Sequence, residues 1–191
     1  MTKIKNNLQE ISADDLIRTG NSVQTNHVEN PGLGIENSKV QWAYEAGTKR
    51  FLIWGLYQGV EDTYPFKIDF LKVQAEEITN PEEINQIAQS EIDVNVPYVQ
   101  ADGRLLFVTN YGKAFFITPP SISSSDVQVR CGCPSYRFSY FKGNKNKKAA
   151  TGANFPVYIP NGRGKPKPVI EGLCKHLQLI IESLLEAGII Q

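Results

Sequence analysis

Alternating and continuous apolar stretches in the middle of the chain predict β-structure. Residues 66–73 have the sequence FKIDFLKV, in which apolar and polar side chains alternate as in a half-buried strand. The apolar stretch 49–57 predicts another strand. Residues 105–109 and 114–118 flank the turn sequence NYGK, and this arrangement predicts a hairpin.

Two other segments carry helix signals. Asn80 and Pro81 provide an N-cap and a favoured first residue, acidic residues follow them, and the helix is expected to end near Ser90. A second helix is predicted near the end of the chain, where apolar residues recur at helical spacing until Gly188. These apolar residues are Leu173, Leu177, Ile180, Ile181, Leu184 and Leu185.

The chain of 191 residues divides into three segments of different composition. Residues 1–38 lack aromatic residues, contain one short helix candidate capped by Ser12, and predict an extended N-terminal arm. Residues 39–120 predict a β-rich core with one helix. Residues 121–191 predict a zinc-binding region with a long basic insert and a C-terminal helix. The predicted fold class is therefore α+β, with a mostly antiparallel β core.

The cysteines and one histidine form two closely spaced pairs. Cys131 and Cys133 give the pattern C-x-C, and Cys174 and His176 give C-x-H. They account for all three cysteines and one of the two histidines. Three thiolates and an imidazole are the ligands of a tetrahedral structural zinc site, so we predict bound Zn²⁺. Buried thiols without a metal, or a redox pair, are the alternatives.

The local structure expected around the two pairs would allow their four ligand side chains to meet. Residues 125–133 predict a strand that ends at Pro134, and residues two apart on a strand point to the same face. Cys174 is placed just before the C-terminal helix and His176 in its first turn, where free N–H groups favour thiolates. We therefore expect a metal that clamps the helix to the sheet and has no catalytic role.

Charge is balanced overall but separated along the chain. The chain has 20 basic and 20 acidic residues, yet residues 61–102 contain ten acidic residues and two lysines. Residues 134–170 contain no acidic residue and eight basic ones, interleaved with aromatic residues. Candidate contacts to nucleic acid or to an acidic partner are Lys142, Lys145, Lys147, Lys148, Arg163, Lys165 and Lys167. Solvated side chains or docking to an acidic protein are the alternatives to nucleic-acid binding.

The ligand pairs resemble the SWIM-type zinc finger, which has the pattern C-x-C, a variable gap and C-x-H. In this chain the gap is forty residues. The segments 131–138 (CGCPSYRF) and 172–177 (GLCKHL) also resemble a group of tailed-bacteriophage virion proteins. That resemblance covers roughly the last third of the chain. It implies a structural subunit of a virion, assembled in the host cytoplasm.

Several classes of function lack their sequence signals. The chain has no phosphate-binding loop, no dinucleotide-binding glycine motif and no nucleophile elbow, and no nucleophile–base arrangement is evident. No signal peptide or membrane span is predicted. We therefore expect no enzyme, no membrane and no small-molecule substrate. The expected partners are other virion proteins or copies of the chain, with nucleic acid possible.

Three hypotheses of function follow. The first is a non-catalytic, zinc-stabilised subunit of a bacteriophage tail, baseplate, neck or head-completion assembly. The second is a nucleic-acid-binding SWIM-like module, in which lysines of the basic insert contact phosphates. The third is a metalloenzyme or a nuclease accessory factor, which would need an open position at the metal.

Overall fold

The larger of two antiparallel sheets has five strands. The computed structural model describes residues 12–13, 16, 34–35, 40–58, 62–90, 92–153 and 172–191. The strands of this sheet are β1 (Gly34–Ile35), β2 (Gln41–Glu45), β3 (Arg50–Gln58), β4 (Thr63–Phe70) and β9 (Val127–Cys131). Strands β1 and β2 pair with different parts of β3, and β4 lies between β3 and β9.

The smaller sheet has four strands in the order β5, β8, β7, β6. They are β5 (Ala75–Glu77), β6 (Pro97–Val99), β7 (Leu105–Val108) and β8 (Ala114–Ile117). The predicted hairpin is confirmed, because β7 and β8 pair directly. Helix α1 (Pro81–Gln89) starts as predicted, with the Asn80 side chain accepting a hydrogen bond from the Glu82 N–H at 3.0 Å.

The C-terminal helix joins the two sheets in one core. Helix α3 (Lys175–Glu186) buries Leu177, Ile180, Ile181 and Leu184. They belong to the same apolar cluster as inward-facing residues of both sheets, including Ile68 and Phe107. The antiparallel sheets, the C-terminal helix and a Cys3His cluster confirm the predicted α+β fold.

A helical segment that the sequence patterns did not predict follows the C-x-C pair. A single π-helical turn (Tyr136–Tyr140) continues into the short helix α2 (Phe141–Asn146). The segment is part of the predicted basic insert, because residues 134–170 contain no acidic residue and eight basic ones. The burial of Tyr136, Tyr140 and Phe141 in the core explains why it is helical nevertheless.

The three predicted segments share this core. Strand β9, in the third segment, pairs along β4, in the second. Ala13 and Leu16, within residues 1–38, are buried in the same apolar cluster, and Ser12 forms an isolated bridge with Asp126. Gly34 and Ile35, also within residues 1–38, form β1 and pair with the end of β3, and the remaining residues of the predicted arm lie outside the described residues.

One buried ion pair links the two longest strands. Asp69 on β4 is fully buried, and its carboxylate accepts two hydrogen bonds from the Arg50 guanidinium on β3. The hydrogen bond to Asp69 raises the pKa of Arg50 further above its ordinary value. Lys67 lies 4.0 Å away from the same carboxylate. A buried carboxylate is tolerated only when such partners replace the lost water.

Replacing Arg50 with methionine is expected to lower the free energy of unfolding by about 2–3 kcal/mol, because Asp69 would lose both hydrogen bonds while staying buried. Denaturant titration measures this change. The control is Glu45→Gln, which removes an ion pair of 3.9 Å between partly exposed groups and leaves a side-chain oxygen that can still accept the hydrogen bond from the Thr48 hydroxyl. It should cost less than about 0.5 kcal/mol. Equal losses in both variants would contradict the prediction.

Candidate metal centre

The four predicted ligands converge where β9 meets the start of α3. Cys131 is the last residue of β9, and Cys133 follows two residues later. Cys174 is the N-cap of α3 and His176 lies in its first turn. One ligand atom from each residue lies within 4.8 Å of all the others. The placement expected from the spacing is confirmed.

This grouping fits a four-coordinate metal ion. Sulfur atoms that bind zinc lie about 2.3 Å from the ion, so two of them are about 3.8 Å apart in a tetrahedron. The four donor atoms lie within 4.8 Å of one another, so they would have to move only slightly closer together to bind an ion. The cysteines are not paired in disulfides. The four residues could therefore hold a metal ion.

The site is enclosed by protein. Cys131 and Cys174 are 0% exposed, Cys133 is 1% exposed and His176 is 5% exposed. Structural metal sites are closed in this way, whereas catalytic zinc keeps an open position for water or substrate. The site therefore has the character of a structural centre.

Burial and mutual hydrogen bonding shift the pKa values of the three thiols in different directions. Burial, followed by hydrogen bonds with the other two thiols, raises the pKa of Cys174. The hydrogen bond with Cys133 raises the pKa of Cys131, and hydrogen bonds from Cys131 and Cys174 lower the pKa of Cys133. A metal cation would favour the thiolate form of all three.

The histidine is positioned by two tyrosines of the large sheet. The rings of Tyr57 and Tyr64, which are paired across β3 and β4, lie 4.7 Å and 5.0 Å from the His176 ring, measured between centroids. The Nδ1 atom of His176 is buried and has no hydrogen-bond partner among the described residues. A buried polar atom of this kind costs about 1–3 kcal/mol. Coordination to a metal ion is one way to remove that cost.

Backbone groups support the sulfur atoms. The N–H of Cys133 donates to Cys131 Sγ at 3.5 Å, and the N–H of Tyr136 donates to Cys133 Sγ at 3.3 Å. Such hydrogen bonds orient ligands and stabilise the thiolate form. The π-helical turn after Cys133 thus contributes directly to the site.

Gly132 is required between the first two ligands because the chain passes very close to β4 there. Its N–H donates to the Pro65 carbonyl at 2.8 Å. A Cβ atom at this position would lie 2.8 Å from Pro65 Cδ, which is closer than real Cβ contacts. Any larger residue would therefore shift the C-x-C segment away from β4.

Asn144 on α2 fixes the backbone just before Cys174. Its side-chain amide donates to the Gly172 carbonyl, and the Gly172 N–H donates to its side-chain oxygen, both at 2.8 Å. Asn144 is fully buried. Gly172 has φ of 139°, which L side chains rarely adopt. No local sequence pattern predicts this contact, because Asn144 lies among basic residues 28 positions before its partner.

The predicted basic contacts are not part of the metal centre. Lys142, Lys145 and Lys148 are exposed, Lys147 is half-buried, and all four lie on or directly after α2. Arg163, Lys165 and Lys167 lie outside the described residues. Within the described part of the chain, the structure brings together the predicted metal ligands and keeps these lysines on the surface.

The chain has no significant match among protein-family models, curated proteins or solved structures. The SWIM-type and virion-protein resemblances are thus without support from a family match, and they remain hypotheses. In the part of the chain that the structure describes, no helix is long and apolar enough to cross a membrane.

Purified protein is expected to contain one metal ion per chain, because the four ligands form one closed set. Elemental mass spectrometry measures the content. Cys131→Ser and His176→Ala should each lose the ion, since each removes one of the four donors. The matched control is Gln178→Ala, on the same helix as His176, which should keep it. An ion retained in both ligand variants would contradict the site.

Replacing Asn144 with alanine is expected to lower the free energy of unfolding by about 2–3 kcal/mol, because two buried backbone groups of Gly172 lose their partners. It should also weaken metal binding about 10-fold or more, as loss of supporting hydrogen bonds does at other sites. Competition with a chromogenic chelator measures the second effect. Asn146→Ala is the control, since Asn146 is exposed on the same helix. Similar metal affinity in both variants would contradict a supporting role for Asn144.

Proposed function

We propose that this protein is a non-catalytic structural subunit of a bacteriophage virion assembly, such as a tail, baseplate, neck or head-completion complex, and that zinc stabilises its fold. The observation that carries the proposal is the burial of all four candidate ligands, Cys131, Cys133, Cys174 and His176. An ion enclosed by four protein ligands has no open position for a substrate. Its role would be to hold β9 and α3 together.

Zinc is the ion that suits these ligands best. Thiolates are soft ligands and imidazole is borderline, which disfavours calcium and magnesium, since both prefer oxygen. A set of three cysteines and one histidine is common in structural zinc sites. Zinc also has no redox chemistry of its own. These properties suit a protein whose metal has to be stable rather than reactive.

The virion role is supported by the two sequence segments that carry the metal ligands. Residues 131–138 and 172–177 resemble the corresponding segments of tailed-phage virion proteins. The same residues form the candidate metal centre, the π-helical turn and the start of α3. The resemblance therefore concerns the part of the chain whose geometry is most specific.

Other virion proteins or copies of this chain are the partners that we propose. Exposed acidic residues lie on and around the smaller sheet, among them Glu76, Glu77 and Asp93, whereas exposed lysines lie on α2. Opposite surface charges favour association between neighbouring subunits and define its direction. We propose no membrane and no small-molecule substrate.

We propose assembly in the host cytoplasm, followed by incorporation into the virion. A reducing cytoplasm keeps cysteines as thiols, which is the state needed for metal binding. The metal would then be acquired as the chain folds.

Quantitative mass spectrometry of virions purified on a density gradient tests this proposal in a phage that encodes the chain. The expected result is that the chain remains with intact particles at a fixed copy number and resists removal by high salt. A chain that is abundant in the infected lysate but missing from particles would overturn the virion assignment.

Complementation with variants tests the part played by zinc. Cys174→Ser is expected to lower incorporation at least tenfold, because the start of α3 would lose its link to β9. Lys175→Ala alters the neighbouring, partly exposed side chain and should be incorporated normally. If both variants were incorporated equally, the metal would not be needed for the structural role.

A further inference from the structure

We propose that Cys133 and Cys174 form a disulfide when the metal ion is removed under oxidising conditions, so that a covalent bond replaces the ion as the link between the end of β9 and α3. This inference rests on the proposed metal site. The stage at which the exchange occurs rests on the proposed assembly in a reducing cytoplasm, because the oxidising conditions are met only after particles leave it.

The three sulfur atoms are close enough to react with one another. They lie within 4.8 Å of one another, and all three cysteines are free. A disulfide bond is about 2.0 Å long, so one pair of sulfur atoms has to approach by less than about 3 Å. A change of the χ1 rotamer moves a cysteine sulfur by about this distance.

The two cysteines of the C-x-C pair are poorly placed to bond to each other. Cys131 is the last residue of β9 and is paired with Phe66 on β4. At the extended geometry of a strand, Cα atoms two residues apart are separated by about 6.6 Å, which is near the upper limit for a disulfide. Cys174 is therefore the better partner, because it belongs to a different element and approaches the pair from α3.

Cys133 is the thiol of that pair better placed to react with Cys174. It lies beyond the end of β9, whereas Cys131 is held in the ladder with β4. The Tyr136 N–H donates to Cys133 Sγ at 3.3 Å, and the Arg137 N–H donates to the Cys133 carbonyl at 3.1 Å. Cys133 thus stands at the start of a helical turn, where free N–H groups favour the reactive thiolate.

The backbone around the cluster keeps the sulfur atoms together without relying on an ion. The Gly132 N–H donates to the Pro65 carbonyl at 2.8 Å, which holds the C-x-C segment against β4. Asn144 makes two hydrogen bonds of 2.8 Å with the backbone of Gly172, two residues before Cys174. The thiols therefore stay near each other after the ion has left. While it is bound, their burial slows attack by an oxidant.

The reaction balances with a peroxide as the two-electron oxidant. The Cys133 thiolate attacks one peroxide oxygen, the O–O bond breaks, hydroxide leaves, and Cys133 becomes a sulfenic acid. The Cys174 thiolate then attacks that sulfur, the S–S bond forms, the S–O bond breaks, and a second hydroxide leaves. Two protons from the solvent convert both hydroxides to water. Cys131 takes up a proton and remains a thiol.

Peptide mapping by mass spectrometry tests the proposal on the full chain. Zinc content is measured first, the chain is treated with EDTA and hydrogen peroxide, and the remaining thiols are alkylated before digestion with trypsin. Cleavage after Arg130 and Arg137 releases both cysteines of the C-x-C pair in one peptide. We expect this peptide to be joined to the one containing Cys174, in monomeric chains and with Cys131 alkylated. Without EDTA, the cross-link should form at least about tenfold more slowly.

Hydrogen exchange shows whether the disulfide replaces the link through the metal. The amides of α3 should exchange at a similar rate in the oxidised, metal-free chain and in the zinc-loaded chain. In the reduced, metal-free chain they should exchange at least about tenfold faster. Cys174→Ser is the control, because it should form no such cross-link and its α3 should exchange equally fast before and after oxidation.

The outcomes separate this inference from the proposed metal site. A purified chain without zinc would overturn both. A zinc-loaded chain that yields a bond through Cys131, an intermolecular disulfide or only sulfinic acids would contradict the exchange and leave the zinc site standing. An oxidised chain whose α3 exchanges as fast as that of the reduced, metal-free chain would show that the disulfide does not replace the metal.

Discussion

Three thiol groups and an imidazole are buried together where β9 meets the start of α3, and they could hold a metal ion. Burial raises the pKa of Cys174, whereas hydrogen bonds from Cys131 and Cys174 lower the pKa of Cys133. Ionising all three in a buried cluster is unfavourable without a cation. A cation held by these residues would offset that cost and would link β9 to α3.

The metal ligands could be predicted from sequence because each pair depends on local geometry. A strand alternates its side chains, so C-x-C puts two thiols on one face, and β9 shows that alternation in Val127, Val129 and Cys131. The C-x-H pair precedes a clear helical pattern, so Cys174 as N-cap follows from the same reasoning. The hairpin β7–β8 and the start of α1 also have local turn and capping signals, and they too were predictable.

Features that depend on distant contacts could not be predicted. Nothing near Asn144 in the sequence indicates that its amide binds Gly172, or that the segment before it is helical. The bounds of β4 differ from the prediction for a similar reason. A strand was predicted at residues 66–73, and β4 spans Thr63–Phe70. Pairing with β3 extends it to Thr63, and Lys72, with φ of 57°, lies beyond its end. Alternation indicates a strand, but pairing partners determine where it begins and ends.

The same contacts explain how a gap of forty residues can separate the two ligand pairs without disturbing the site. Residues 134–153 are not a free loop, because they form a helical segment and then return to β9, where Ala150 bridges Val129. Arg130 donates to the Thr151 carbonyl at 3.0 Å, and Asn144 holds Gly172. The backbone at Thr151 and the backbone at Gly172 are thus both held in place near the ligands. Because the entropy of closing a loop grows only slowly with its length, a gap of forty residues between the two ligand pairs costs little more than a shorter gap would.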